Sequence, residues 1–161
     1  MSYRIGFGYD VHRLAAGESL ILGGISIPHP TGTVGHSDAD VLIHAICDAL
    51  LGAAALGDIG YHFPDTDPIY KNADSTVLLA KVIKLLKDKG YGIGNIDSTV
   101  CLEKPKLKDY IPKMQQRLAE VLVTTADKIS IKATTSEKLG FVGREEGVTA
   151  HAVVLIESTG S

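Results

Sequence analysis

The chain has 161 residues, 45% apolar and 22% charged, with 16 Lys and Arg against 19 Asp and Glu for a formal net charge of −3. That size suits one domain, 1–161, with its own core, and the balance excludes a disordered chain and the clustered basic excess that nucleic acid demands. No apolar run nears the roughly 20 residues of a membrane span, no signal-peptide core opens the chain, and two cysteines alone exclude a disulfide framework.

Taken along the chain, residues 3–9 alternate before giving way to Gly and Asp, which predicts a strand ending near Asp10 to His12. Leu20–Leu22 and Ile25–Ile27, joined by Gly23-Gly24, predict a short hairpin. Val41, Leu42, Ala45, Ile46, Ala49 and Leu50 then recur as one helical stripe, with Ser37 and Asp40 as its capping residues. A second helix is predicted from Asp74-Ser75 to Lys89, stopped by Gly90, and a strand over 93–102 follows. Ile111, Met114, Leu118, Val121 and Leu122 mark a third helix, alternation about Ile129 and Ile131 another strand, and 148–157 the last.

Helices and strands at these intervals predict an α/β (α+β) sandwich, one sheet covered on one face by helices. Val148, Ala150, Ala152 and Val154 alternate with the apolar Val153 and Leu155 on the last strand. Apolar residues on both faces point to an oligomer whose sheets pack together.

Several short runs carry chemistry. Asp10 and His12, at i and i+2 on an extended segment, face one side, and His44 on the first helix could complete three ligands with a fourth position open, as in catalytic zinc sites. Asp40 and Asp48 each lie four residues from His44, placed to accept its second ring N–H, while Asp38 and Asp40 also suit a helix N-terminus. Cys47, three residues after His44, has a possible ligand spacing but is of a type commonly just buried. In LGDIGYHFPDTDP the aspartates fit either turn chemistry or a polyol site. In KATTSEKLGFVGREEG, hydroxyls and amides could meet phosphate, Glu137 a hard cation and Arg144 an anion, or the run is a solvated turn. Lys104, Lys106 and Lys108 around Pro105 could frame a nucleobase or form a solvated face.

Together GYDVH, GHSDADVLIHA, LGDIGYHFPDTDP, PKL and KATTSEKLGFVGREEG resemble, in order and spacing and over almost the whole chain, the cyclodiphosphate synthases of the methylerythritol phosphate isoprenoid pathway. The resemblance implies a lyase that converts 4-diphosphocytidyl-2-C-methyl-D-erythritol 2-phosphate to 2-C-methyl-D-erythritol 2,4-cyclodiphosphate with release of CMP. It implies zinc on Asp10, His12 and His44, magnesium or manganese at Glu137, and transition-state stabilisation by His36 and Thr135. Asp10, Val11, His12, His36 and Ser37 would meet the substrate near the metal, and Asp58, Ile59, Gly60, Phe63, Pro64, Asp65, Thr66 and Asp67 would hold the methylerythritol. Leu102, Glu103, Lys104, Pro105, Lys106, Leu107 and Lys108 would form the cytidine loop, with Thr134, Thr135, Ser136, Glu137, Phe141 and Arg144 completing the pocket. Ser136 stands where the family has a third Thr, which keeps the hydroxyl.

The resemblance also implies a homotrimer with active sites at subunit boundaries and a prenyl diphosphate site on the trimer axis, associated with Arg144. Nucleic acid and membrane are not expected partners, and the expected location is the cytoplasm, or the plastid stroma if a transit peptide has been removed. Two other functions fit parts of the pattern: a phosphate-ester hydrolase using metal-bound water, and a non-catalytic prenyl diphosphate-binding trimer with structural zinc.

Overall fold

The computed structural model describes residues 2–160. A long strand, β1 (Tyr3–Ala16), opens the chain, followed by β2 (Leu20–Leu22), β3 (Ile25–Ile27) and β4 (Thr31–Val34). Helix α1 (Val41–Ala53), the one-turn α2 (Ile59–His62) and α3 (Ser75–Asp88) lead to β5 (Tyr91–Cys101). Then come α4 (Ile111–Leu122), β6 (Ile129–Thr134), the one-turn α5 (Gly140–Gly143) and β7 (Gly147–Ser158). Five strands form one sheet in the order β4-β1-β7-β5-β6, and β2 with β3 forms the separate predicted hairpin.

Two boundaries differ from the expected ones for physical reasons. β1 continues past His12 to Ala16 because Arg13 to Ala16 pair with Val34 to Thr31 of β4, a strand too short to show a period in the sequence. Helix α1 is capped by Asp40 rather than Ser37: the Asp40 carboxylate accepts the Ile43 N–H at 3.0 Å and also the N–H groups of Gly23 and Gly24 at 3.0 and 2.7 Å. One buried side chain thus starts the helix and fastens the β2–β3 turn to it. Complete burial pushes its pKa up to about 6, against the opposing pull of those three donors.

The sheet is covered on one face, as predicted. Helix α1 lies on β1 and β7, with α3 and α4 beyond it, and the core runs continuously through Leu42, Ile46, Leu50, Leu79, Met114, Leu118, Val148 and Val154. The approach of α1 to β1 is backbone to backbone. A Cβ on Gly6 or Gly8 would stand 1.9 Å from the carbonyl oxygen of Ala49 or Ala45, so only glycine permits this spacing.

Strand parity then assigns the functional residues. The even positions Gly6, Gly8, Asp10 and His12 face the helix, and the odd positions Tyr3, Ile5, Phe7, Tyr9 and Val11 line the open face, where all five are exposed. Across the ladder Phe7 pairs with Val153 and Ile5 with Leu155, which extends that apolar face onto β7.

Candidate metal centre and active site

Helix α1 brings His44 over the inner face of β1 at the level of Asp10 and His12. Asp10 Oδ2 is 2.9 Å from His12 Nε2 and 3.1 Å from His44 Nδ1, and the two ring nitrogens are 3.2 Å apart. A tetrahedral ion with bonds of roughly 2.0 Å has ligand atoms about 3.3 Å apart, so this triangle has the dimensions of one tetrahedral face. The three are also the residues among those described that converge as a metal-binding group. Their donor chemistry fits: His12 Nδ1 donates to the Val34 carbonyl oxygen at 3.2 Å, which leaves the Nε2 lone pair directed at the cluster. Burial would raise the Asp10 carboxyl, but its contacts with the His12 and His44 rings outweigh it and hold it at about 2. Burial would likewise lower His44, and contact with the Asp10 carboxylate raises it above its ordinary value. The cluster is therefore a carboxylate beside two imidazoles, of which His44 is drawn toward positive charge, and a divalent cation suits such a donor set better than a proton.

The expected acceptors behind His44 are not the ones found. Asp40 is engaged as the helix cap, and Asp48 accepts the Ile59 N–H at 2.8 Å, fastening α2 to α1. His44 Nε2 lies instead 2.9 Å from Ser75 Oγ and 3.2 Å from Ser37 Oγ. Cys47 is fully buried in the core and takes no part in the cluster.

The cluster opens into a cavity of about 430 Å³ lined by Asp10, His12, His36, Ser37 and His44 on one side and Ile59, Gly60, Phe63, Pro64, Asp65 and Thr66 on the other. His36 Nε2 donates to the Asp67 carbonyl oxygen at 3.3 Å, which fixes the ring at the rim. Asp58 and Asp67 act locally: their carboxylates accept the N–H groups of Tyr61 and Ile69 and start the turns that carry the lining residues. Turn chemistry and pocket lining are thus divided among the aspartates of one run. Val11 points the other way and lines a separate cleft with Phe141 and Gly147.

A second cleft of about 300 Å³ gathers Leu102, Glu103, Pro105, Lys106, Leu107 and Lys108 with Ala133, Thr134 and Thr135. Leu102 and Leu107 are buried anchors, and Lys104, Lys106 and Lys108 are exposed. Glu103 accepts the Ser136 N–H at 3.1 Å, linking this loop to the end of β6. Glu137 is exposed at φ +56°, its N–H 3.3 Å from the Thr135 hydroxyl oxygen. Arg144 donates to the Glu146 carboxylate at 3.1 and 3.2 Å, a partner within its own loop that the sequence reading missed.

The two clefts lie at the same end of the sheet. Asp10 pairs with Ala150, Ala150 with Val100 and Val100 with Ala133, so three ladder spacings, about 14 Å, separate them within one chain.

Comparison with known proteins agrees with this arrangement. The chain is 64% identical over 156 residues to a 2-C-methyl-D-erythritol 2,4-cyclodiphosphate synthase from Bacteroides fragilis, covering 97% of this chain and 98% of that one. The structure of the bifunctional IspDF from Campylobacter jejuni superposes with a TM-score of 0.94 at 43% identity, and the match covers 98% of this chain but only 42% of that one. A CDP complex of IspF from Plasmodium falciparum gives a TM-score of 0.86 at 32% identity, covering 98% and 97%. The pattern of the YgbB family matches residues 3–157, and with relatives this similar along its length the chain belongs to the YgbB family, that of the cyclodiphosphate synthases.

Proposed function

We propose that the chain closes 2-C-methyl-D-erythritol 2,4-cyclodiphosphate and releases CMP. The observation that carries this is the Asp10–His12–His44 triangle opening into a polar cavity, with a second cleft at the same sheet end suited to a cytidine group. The 2-phosphate oxygen of the substrate attacks the β-phosphorus, a phosphorus–oxygen bond forms, and the bond to the CMP phosphate breaks. A phosphate oxyanion is already nucleophilic, so the chain has to position and neutralise rather than remove a proton. Asp10, His12 and His44 would hold zinc, which would supply polarisation of a phosphoryl oxygen, and Glu137 would hold magnesium or manganese, which would supply charge neutralisation of the adjoining phosphates. His36, Ser37 and Thr135 supply hydrogen bonds as charge develops, Ile59, Gly60 and the 63–67 segment hold the methylerythritol, and the 102–108 loop holds the cytidine. Phosphorus NMR of the product tests the reading: a cyclic diphosphate with stoichiometric CMP supports it. CMP with an acyclic product would make the chain a hydrolase, and prenyl diphosphate binding without turnover would make it a binding protein.

Two features support the trimeric assembly. The open sheet face exposes Ile5 at 75%, Phe7 at 63% and Val153 at 49%, a row that one chain alone leaves in water. The metal cluster and the cytidine cleft stand about 14 Å apart in one chain, a separation that a neighbouring copy shortens by offering its own cleft. Three copies packing sheet on sheet satisfy both, with sites at the boundaries and Arg144 beside the axis for a prenyl diphosphate. Light scattering should give a mass three times that of the chain, and a monomer at micromolar concentration would remove the shared site.

The chain acts as one domain over 1–161, supported by its continuous core. No helix among the described residues is long and apolar enough to cross a membrane, and a cytoplasmic location is in keeping with the bacterial relatives.

A further inference from the structure

His44 is held from behind by residues that neither the metal nor the substrate explains. Ser75, the first residue of α3, is fully buried, and its hydroxyl makes a short hydrogen bond to Asp38 Oδ1 while lying 2.9 Å from His44 Nε2. Asp38 Oδ2 accepts the Ser75 backbone N–H at 2.9 Å, and its Oδ1 also accepts the Asp40 N–H at 3.2 Å. The Asp38 N–H in turn donates to the Ala73 carbonyl oxygen at 3.0 Å, so the turn before α1 and the start of α3 are fastened together.

Proton accounting fixes the direction of this chain of contacts. A hydroxyl has one proton, and an ionised carboxylate can only accept, so Ser75 donates to Asp38. What remains on Ser75 Oγ toward His44 is a lone pair. The contact with Nε2 is then a hydrogen bond only if Nε2 carries the ring proton, which leaves Nδ1 bare and directed at Asp10 and His12. Ser37 Oγ, 3.2 Å from the same nitrogen, accepts the Ala39 N–H and keeps a second lone pair that can also receive the Nε2 proton, over a longer contact than Ser75.

We propose that Ser75, oriented by Asp38, is a positioning residue of the metal centre: it locks His44 in the Nε2–H tautomer and so keeps the Nδ1 lone pair on the ligand triangle. The proposal rests on the metal reading above. It also gives Asp38 a role distinct from helix capping, since its carboxylate determines which way the Ser75 proton points. Ser75→Ala removes the acceptor behind Nε2. Asp38→Asn loosens that orientation: its single amide oxygen cannot serve the Ser75 N–H, the Ser75 hydroxyl and the Asp40 N–H together, so the hydroxyl is freed to turn its proton to Nε2, and the ring proton then sits on Nδ1, where it blocks the metal.

Two measurements on the full chain test this. Long-range proton–nitrogen NMR of the metal-free protein at alkaline pH should place the His44 proton on Nε2 in the wild type, and Asp38→Asn should shift it toward Nδ1. Competition with a chromophoric chelator should show zinc binding weakened roughly ten- to hundredfold in Ser75→Ala and in Asp38→Asn, the usual size of effect for groups that orient a metal ligand. A purely structural Ser75 would lower the melting temperature and leave the tautomer and zinc affinity unchanged, which would overturn the proposal. So would a wild-type ring protonated on Nδ1, an outcome that needs no variant to fold. A wild type that binds no zinc would remove the metal reading itself, and with it this proposal, before any variant is compared.

Discussion

His44→Ala is expected to reduce zinc from one ion per chain to below about a tenth, and to slow CMP release by about a thousandfold or more, on the order of 4 kcal/mol. The variant keeps Asp10 and His12, 2.9 Å apart, but two ligands do not hold a tetrahedral ion against water and protons. Elemental analysis of the purified proteins decides the metal, and equal zinc in both would withdraw the assignment whatever the activity did. Acid should act in the same direction on the wild type. A His44 pKa above its ordinary value means that protons begin to compete for its ring while the pH is still above the ordinary imidazole range, so zinc loss should set in there and deepen as the pH falls further.

Glu137→Gln is expected to retain as much zinc as the wild type and the same mass in solution while losing about a hundredfold in CMP release, on the order of 3 kcal/mol. Glu137 is absent from the His44 triangle within one chain and sits exposed after β6, so its loss leaves the zinc ligands untouched. Gln matches its size, and the neighbouring bonds from the Glu137 N–H to the Thr135 hydroxyl and from the Ser136 N–H to Glu103 do not involve the Glu137 side chain. What would disappear is the charge proposed above to hold a hard cation against the diphosphate. Turnover near the wild-type rate at limiting magnesium would return Glu137 to the status of a solvated turn residue.

What the sequence disclosed follows the range of its signals. The apolar stripes of α1, α3 and α4 and the alternation of β6 and β7 are local periodicities, and each emerges within a residue or two of its expected bounds or at a nearby cap. The parity that sets Asp10 and His12 on one side of β1 is equally local and holds even though the strand runs four residues beyond His12. One-turn α2 and α5 are too short to carry a helical period, and the three-residue 68–70 turn is set by the Asp67 cap. Ser75 lies 31 residues from His44 in sequence, and nothing near either residue marks the contact, which exists only because α3 docks its first turn against α1. Arg144 shows the converse: its planar fork was legible as an anion site, and the acceptor two residues away at Glu146 was legible too, had the pair been weighed together.

The two glycines beneath α1 bear on how this site can persist while the rest of the molecule changes. With no side chain between helix and strand, the gap from Asp10 to His44 is gauged by main-chain atoms, the carbonyls of Ala45 and Ala49 resting on Gly8 and Gly6. Exchanges among Leu42, Ile46 and Leu50 alter what packs beside this contact, yet the stand-off at the two glycines stays the same. Positions 6 and 8 therefore act as a fixed spacer, and the distance between helix and ligand strand is kept as long as those two sites admit no added carbon.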